Sequence, residues 1–126
     1  MATFPFNFKP QFAAAVLSGQ KRQTIRRNRA DGRRPVPGDV AKLYTGLRTS
    51  ATQLLRQAPV VQCRGVRIYL GDGLITVDGK RMEGVERGDF ARADGFDHWP
   101  AMLAFFQEQY GADGEVFEGF CVEWSV

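Results

Sequence analysis

Residues 59–82 read PVVQCRGVRIYLGDGLITVDGKRM, and this stretch sets the frame of the fold. Pro59 to Leu70 is long and rich in β-favouring residues, and Gly71-Asp72-Gly73 turns it into a second apolar run, Leu74 to Val77. Asp78-Gly79 is a two-residue hairpin signal leading to a short strand near Arg81 and Met82. Residues 58–83 are therefore expected to form a meander.

Upstream, Val40 to Thr45 alternates and is rich in β-formers, and Gln23 to Arg27 contains Thr and Ile, so both read as strands. Between them residues 28–38 are polar and end in Pro35, Pro37 and Gly38, which makes a loop. Residues 51–57 are ambiguous, with one helical turn as a reading. Pro10, then Phe12 and Val16 four apart with Gly19 just beyond Leu17, predicts a short amphipathic helix closed by a glycine cap. Downstream, Asp97 is placed to cap a helix that tolerates Pro100 in its first turn and carries Trp99, Met102, Leu103, Phe106 and Tyr110 at helical spacing up to Gly111. The stripe makes Phe105, Phe106 and Tyr110 core residues rather than base-stacking surfaces. Phe120, Val122, Trp124 and Val126 alternate with polar or small residues, the pattern of a strand with one buried face. These elements predict a mixed α/β, β-rich fold: a small, partly open β-barrel of about five or six strands with two or more helices at its rim.

The chain of 126 residues suits one domain, taken as residues 1–126, and its 44% apolar content with ten Phe supplies a core without staples. No apolar run approaches the length of a membrane span, and MATFPFNFKP has neither a basic nor an apolar leader region, so no membrane partner and a cytoplasmic location are expected. Cys63 and Cys121 lack metal or redox spacing and read as buried free thiols, and no metal or other cofactor is expected. Residues 1–70 hold 13 Lys and Arg against two acids, a balance of +11, whereas residues 71–126 hold four against twelve, a balance of −8. A dipolar surface follows if the halves do not interleave. Seven of the basic residues fall between Lys21 and Arg34 with only Asp31 opposing them, a density that favours a polyanion or a phosphate-bearing ligand.

Gly19 to Arg26 reads G-x-K-x-x-T-x-R. In an extended Gln23–Arg27, Thr24 and Arg26 share one face and Lys21 lies near its mouth. An ammonium, a hydroxyl and a guanidinium offer donors and positive charge to an anion or a carbonyl-bearing base. A Lys beside a Thr also supports nucleophilic chemistry if the Lys is neutral part of the time. Taken alone, the octet reads better as solvated surface charge.

The octet does not stand alone. Leu17-Ser18-Gly19-Gln20-Lys21 with Thr24-Ile25-Arg26, then Pro37-Gly38-Asp39, Leu43-Tyr44-Thr45-Gly46 with Arg48-Thr49, Phe90-Ala91-Arg92-Ala93-Asp94-Gly95-Phe96 and the closing strand together resemble the ASCH domain family over nearly the whole chain. That resemblance implies a PUA-like barrel whose cleft, lined by the G-x-K-x-x-T-x-R segment, binds RNA. One bacterial branch of the family hydrolyses the acetyl amide of 4-acetylcytidine with a Lys, a Thr and a downstream Glu. Lys21 and Thr24 match the first two, and Asp94, one methylene shorter, is the counterpart of the third. Other members are ribonucleases.

The expected site thus has Lys21, Thr24 and Asp94 as catalytic candidates, with Lys21, Thr24 and Arg26 lining one pocket and Asp94 near its rim. Ligand contacts are expected from Lys21, Arg22, Arg26, Arg27 and Arg29, and from an opposite wall carrying Tyr44, Arg48 and Thr49. Asp94 reads equally as a turn cap before Gly95, and His98, isolated from other ligand types, as a surface residue at a helix start. The expected partner is RNA or a modified nucleoside, the expected function binding of that partner in a basic cleft. Metal-independent hydrolysis of an acylated nucleobase is the alternative, with ribonuclease a third reading.

Overall fold

The computed structural model describes residues 1–111 and 114–126. The chain runs β1 (Thr3–Phe8), α1 (Pro10–Ser18), β2 (Gln23–Arg27), β3 (Val40–Thr45), β4 (Gln53–Tyr69), β5 (Leu74–Val77), β6 (Lys80–Arg81), α2 (Gly84–Ala93), α3 (Trp99–Tyr110) and β7 (Val116–Trp124). Among the described residues it is a mixed α/β, strand-rich fold of seven strands in one open sheet with three helices, consistent with a small, partly open barrel.

The 17-residue β4 makes this sheet possible. Its first half pairs β3, and its second half pairs β7 along one edge and β5 along the other. One residue is extra at Leu55, opposite the Leu43/Tyr44 step, and another at Val61, between Val60 and Gln62. Such bulges bend a strand and increase its twist, so one strand serves two sheet directions. The reading of residues 51–57 as a helical turn is corrected: Gln53 onward is strand. Alternation is hard to see there because the bulge shifts the buried positions by one.

Two strands frame the site. β1 lies parallel to β3, from Thr3 opposite Val40 to Phe8 opposite Thr45, and buries Phe4, Phe6 and Phe8. β2 lies antiparallel to β7, which places β7 between β2 and β4. The acidic C-terminal strand is therefore threaded through the basic N-terminal half, and Glu118 pairs with Arg67 at 3.3 Å. β7 thus interleaves the two halves within the sheet.

The apolar residues form two clusters. One joins Ile25, Val66, Ile68, Ile75 and Phe117 to α2 and α3 through Phe90, Trp99, Met102 and Phe106. The other joins the β1 phenylalanines to Phe12, Val16, Leu43, Phe120, Val122 and Trp124. Phe96 and Phe105 pack against both. Helix α3 starts as the spacing predicts, but its cap is His98, whose Nδ1 accepts from the Ala101 N–H at 3.1 Å; Asp97 lies one residue too early. His98 is exposed, and this bond accounts for its ring.

β2 and β7 approach so closely that a Cβ at Gly119 would stand 2.0 Å from the Arg26 carbonyl oxygen. Backbone cannot yield as a side chain does. Gly119→Ala is expected to destabilise the fold by about 1–3 kcal/mol or more, read as a lower urea midpoint at unchanged m-value, whereas Gly79→Ala, with open space around it, changes only backbone strain.

Candidate functional site

Lys21 reaches the interior because the backbone on either side is clamped. Gly19 ends α1 at φ 86°, and the Lys21 N–H then donates to Ala15 O at 3.0 Å. The Arg22 N–H donates to Ala93 O at 3.0 Å, at the end of α2, and Arg22 O accepts from Trp124 N at 3.1 Å. The lysine stem crosses Gly95, where φ is +95° and a Cβ would lie 3.1 Å from Lys21 Cδ. Gly95 thus serves both a left-handed turn and a close approach. The ammonium donates to the backbone O of Asp94 and stands 3.8 Å from Asp94 Oδ1.

The strand carries the next residues to the same place. Arg26 Nε donates to Thr24 Oγ1 at 3.2 Å, and its Nη2 to Asn7 O on β1 at 2.8 Å. The guanidinium therefore bridges from β2 to β1, resting over the Phe6 and Phe8 rings. Thr24 accepts this bond, and among the described residues no protein group accepts its own O–H proton.

Lys21, Thr24, Arg26 and Asp94 line one cavity of about 250 Å³, where the two apolar clusters meet. Its walls are Phe8, Phe12, Phe96, Phe105 and Tyr110, with Asn7, Lys9 and Gln109 also in the lining. Phe12 meets Phe96 and Phe105 edge to face, and those two are tilted against each other, all with centroids 5.4–5.5 Å apart, a stiff apolar wall. Lys21 Nζ lies 5.1 Å from the Phe12 centroid and 5.6 Å from that of Phe8, which offsets part of its lost hydration.

Burial dominates the electrostatics: Lys21 is 3%, Thr24 4% and Asp94 2% exposed. Desolvation lowers the Lys21 pKa, against the opposing carboxylate of Asp94 and with the help of Arg26. It raises Asp94 to about 6, although Lys21, Gln23 and Arg26 all pull it down. Burial also lowers the Arg26 pKa. The Lys21 and Asp94 shifts move those two groups toward the range where protons transfer readily at neutral pH, a pattern common at functional sites.

The expected site is thus only partly assembled. Asp94 is not at a rim but buried in the cavity lining, and it is the C-cap of α2, the position the cap reading gives it. Arg22, Arg27 and Arg29 are exposed outside the lining; Arg29 pairs with Asp31, and Arg27 lies 4.6 Å over the Tyr110 ring. Tyr44, Arg48 and Thr49 do not form an opposite wall. The turn holding Thr49 closes on itself, with Thr49 Oγ1 donating to Gly46 O and accepting from Ala51 N, and Thr52 Oγ1 donating to Gly46 O. The opposite wall is built instead by β1, α1 and α3.

Phe105 and Tyr110, read from the stripe as core, are half-buried and line the cavity, because the edge of α3 overhangs it. Gln23 was not singled out by its sequence, yet its buried amide donates to Asp94 Oδ1 and Phe90 O, each at 3.4 Å. Cys121 is buried beside this group, its thiol pKa raised first by burial and then by Asp94, and Cys63 is half-buried; both are free thiols. Among the described residues no group of three or more His, Cys, Asp or Glu could hold a metal, and no helix is long and apolar enough to cross a membrane. Comparison with family models, with curated proteins and with solved structures gives no match for this chain.

Proposed function

We propose that this cavity receives one nucleobase, carried by RNA or by a free nucleotide, and that the chain is an RNA- or nucleotide-binding domain of the ASCH kind. The observation that carries the reading is the meeting of Lys21, Thr24, Arg26 and Asp94 in a cavity walled by aromatic rings. Its volume of about 250 Å³ falls below the roughly 300–1,000 Å³ of pockets for drug-sized ligands. A single base fits that size; a folded RNA does not. The rings give apolar contact to the base, Lys21 and Arg26 supply donors for its carbonyl oxygens, and Asp94 supplies an acceptor for an exocyclic amine.

Hydrolysis of an acylated base is the second reading. It is favoured by Lys21, whose lowered pKa puts a neutral amine within reach, beside a Thr24 hydroxyl with an uncommitted proton. Neutral Lys21 takes the Thr24 proton as Oγ1 bonds to the acetyl carbon of 4-acetylcytidine. The carbonyl electron pair moves onto oxygen, where Arg26 offsets the charge. The C–N bond then breaks, its electron pair and the proton on Lys21 go to the exocyclic nitrogen, and cytidine leaves. Water, deprotonated by Lys21, adds to the acetyl carbon; the ester C–O bond breaks, its electron pair and the Lys21 proton return to Thr24 Oγ1, and acetate leaves. Asp94 positions Lys21.

Incubation with 4-acetylcytidine, cytidine monophosphate and a mixed RNA pool, followed by mass spectrometry and equilibrium binding, tests both readings. Retention of the nucleotide supports the first, and release of acetate with cytidine the second. For single-stranded RNA, log affinity is expected to fall with log salt at about 0.7 per contacted phosphate. Absence of both nucleotide binding and turnover refutes the assignment.

A further inference from the structure

A second hollow, larger than the aromatic cavity, lies away from it. It is an open groove of about 520 Å³ on β4, β5 and β7, and shares no lining residue with the cavity. Its floor is Gly65, which offers no side chain; Arg34 Nη1 and Asp78 Oδ1 flank it, 3.6 and 3.8 Å from where a Cβ would stand. Around this floor stand Arg34, Arg67, Tyr69, Thr76, Asp78 and Glu118. Arg67 and Glu118 neutralise each other, and Asp78 Oδ1 accepts from the Gly65 N–H at 2.8 Å. Arg34 is different: its guanidinium bonds only the Asn28 amide oxygen, at 2.8 Å, and has no carboxylate partner among the described residues.

The two hollows are linked by three consecutive residues. Arg26 lines the cavity, and Asn28, just past the end of β2, lines the groove. Between them Arg27 is exposed and lies over Tyr110, a cavity residue, and Phe117, the neighbour of the groove residue Glu118. The two hollows are thus neighbours along one short run of chain. The four charged groove residues sum to zero, so the groove suits the base and ribose of a nucleotide more than a row of phosphates. Positive charge without a carboxylate partner among the described residues is offered by the exposed Arg27 between the two hollows and by Arg34 in the groove.

We propose that the groove is a second nucleotide subsite, and that the ligand is a single-stranded oligonucleotide with one base in the aromatic cavity and its neighbour over Gly65. Tyr69 gives the second base an aromatic contact, Asp78 and Glu118 give acceptors, and Arg34 binds the intervening phosphate. The proposal rests on the base-binding reading of the cavity but adds a surface that reading does not need.

The test uses a fluorescein-labelled cytidine octaribonucleotide and, as the short ligand, cytidine monophosphate, with a deoxycytidine octamer to tell RNA from DNA as the source of the strand. Gly65→Leu fills the groove floor and Arg34→Gln removes the unpaired charge; both sites lie outside the cavity. Wild type should bind the octamer more tightly than the mononucleotide. Each variant should weaken octamer binding about tenfold, the cost of one base contact, with mononucleotide affinity within about twofold and melting temperature unchanged for Arg34→Gln. Unchanged octamer affinity in both variants, or equal weakening of both ligands, overturns the proposal. Octamer binding that depends on Gly65 and Arg34 without any mononucleotide binding would instead uphold the groove and overturn the cavity reading.

Discussion

Lys21→Met is expected to cost the fold about 3–5 kcal/mol at pH 8, the usual cost of leaving a buried charge without its partner, and markedly less at pH 5. Met keeps most of the apolar stem that crosses Gly95 and rests against Phe12, so lost packing is a minor part of the change. What remains is Asp94, 2% exposed, facing an empty ammonium position. In the wild type, burial already raises this carboxyl from 3.8 to about 6 despite Lys21. Between those values the folded protein keeps a proton that the unfolded chain has released, so stability falls as pH rises from about 4 to 6. Without Lys21 a lowering influence is lost, the folded carboxyl titrates higher still, and the window of falling stability extends upward. Urea denaturation of the variant at pH 5 and pH 8 reads this directly. The double variant Lys21→Met, Asp94→Asn should recover most of the loss at pH 8, because a neutral amide can keep the bond to Gln23 without a charge to desolvate. An equal loss at both pH values would mean that Lys21 acts by packing alone.

The same burial explains why some of the site was legible in the sequence and some was not. Lys21, Thr24 and Arg26 were readable because a glycine-closed helix followed by a short strand fixes their spacing and their shared face, and the structure has that helix and that strand. β1 was missed although Phe4, Phe6 and Phe8 alternate strictly, because Pro5 and the short length dilute the signal. It pairs in parallel with β3, a distant partner that no local pattern names. α2 carries no apolar stripe: only Phe90, Ala91 and Ala93 are buried, and its Gly84 and Gly88 lower its propensity. Packing on α3 and the sheet holds it, and its end delivers Asp94. The depth of Asp94 follows from that missed helix. The false wall at Tyr44, Arg48 and Thr49 follows from the missed β1, whose Asn7 and Phe8 stand where that wall was expected. Gly95 did carry a signal, since a glycine directly after a candidate carboxylate marks a turn, but only the fold shows that Lys21 fills the space its Cβ would take.

If the cavity hydrolyses 4-acetylcytidine, Lys21→Ala and Thr24→Val should each lower kcat/KM by a hundredfold or more, the range for a group that moves a proton or forms a bond in the transition state, while cytidine monophosphate binding changes far less. Thr24→Val removes the nucleophile at nearly constant volume, and Arg26 then loses its Nε acceptor but keeps Asn7 O. Thr24→Ser keeps a hydroxyl for Arg26 to hold and should retain activity, which separates a chemical role from a structural one. The pH profile has a definite sign. The reactive lysine is the neutral form, so the rate should rise with pH through the Lys21 pKa, and because burial lowers that pKa the rise should lie below the ordinary lysine range. Lys21→Arg cannot lose its proton near neutrality and should be inactive however well it binds. In this mechanism Asp94 acts on Lys21 through its charge rather than through a hydrogen bond, its Oδ1 standing 3.8 Å from Nζ. Asp94→Glu carries the carboxylate one methylene farther and can close that gap, so activity should be retained or raised and the rising limb should move to higher pH, because a closer carboxylate favours the ammonium. Asp94→Asn should move the limb the other way. Wild-type activity with no rising limb, or a limb that stays in place in both Asp94 variants, would overturn the assignment of Lys21 as the base, and activity surviving Lys21→Ala would refute the mechanism outright.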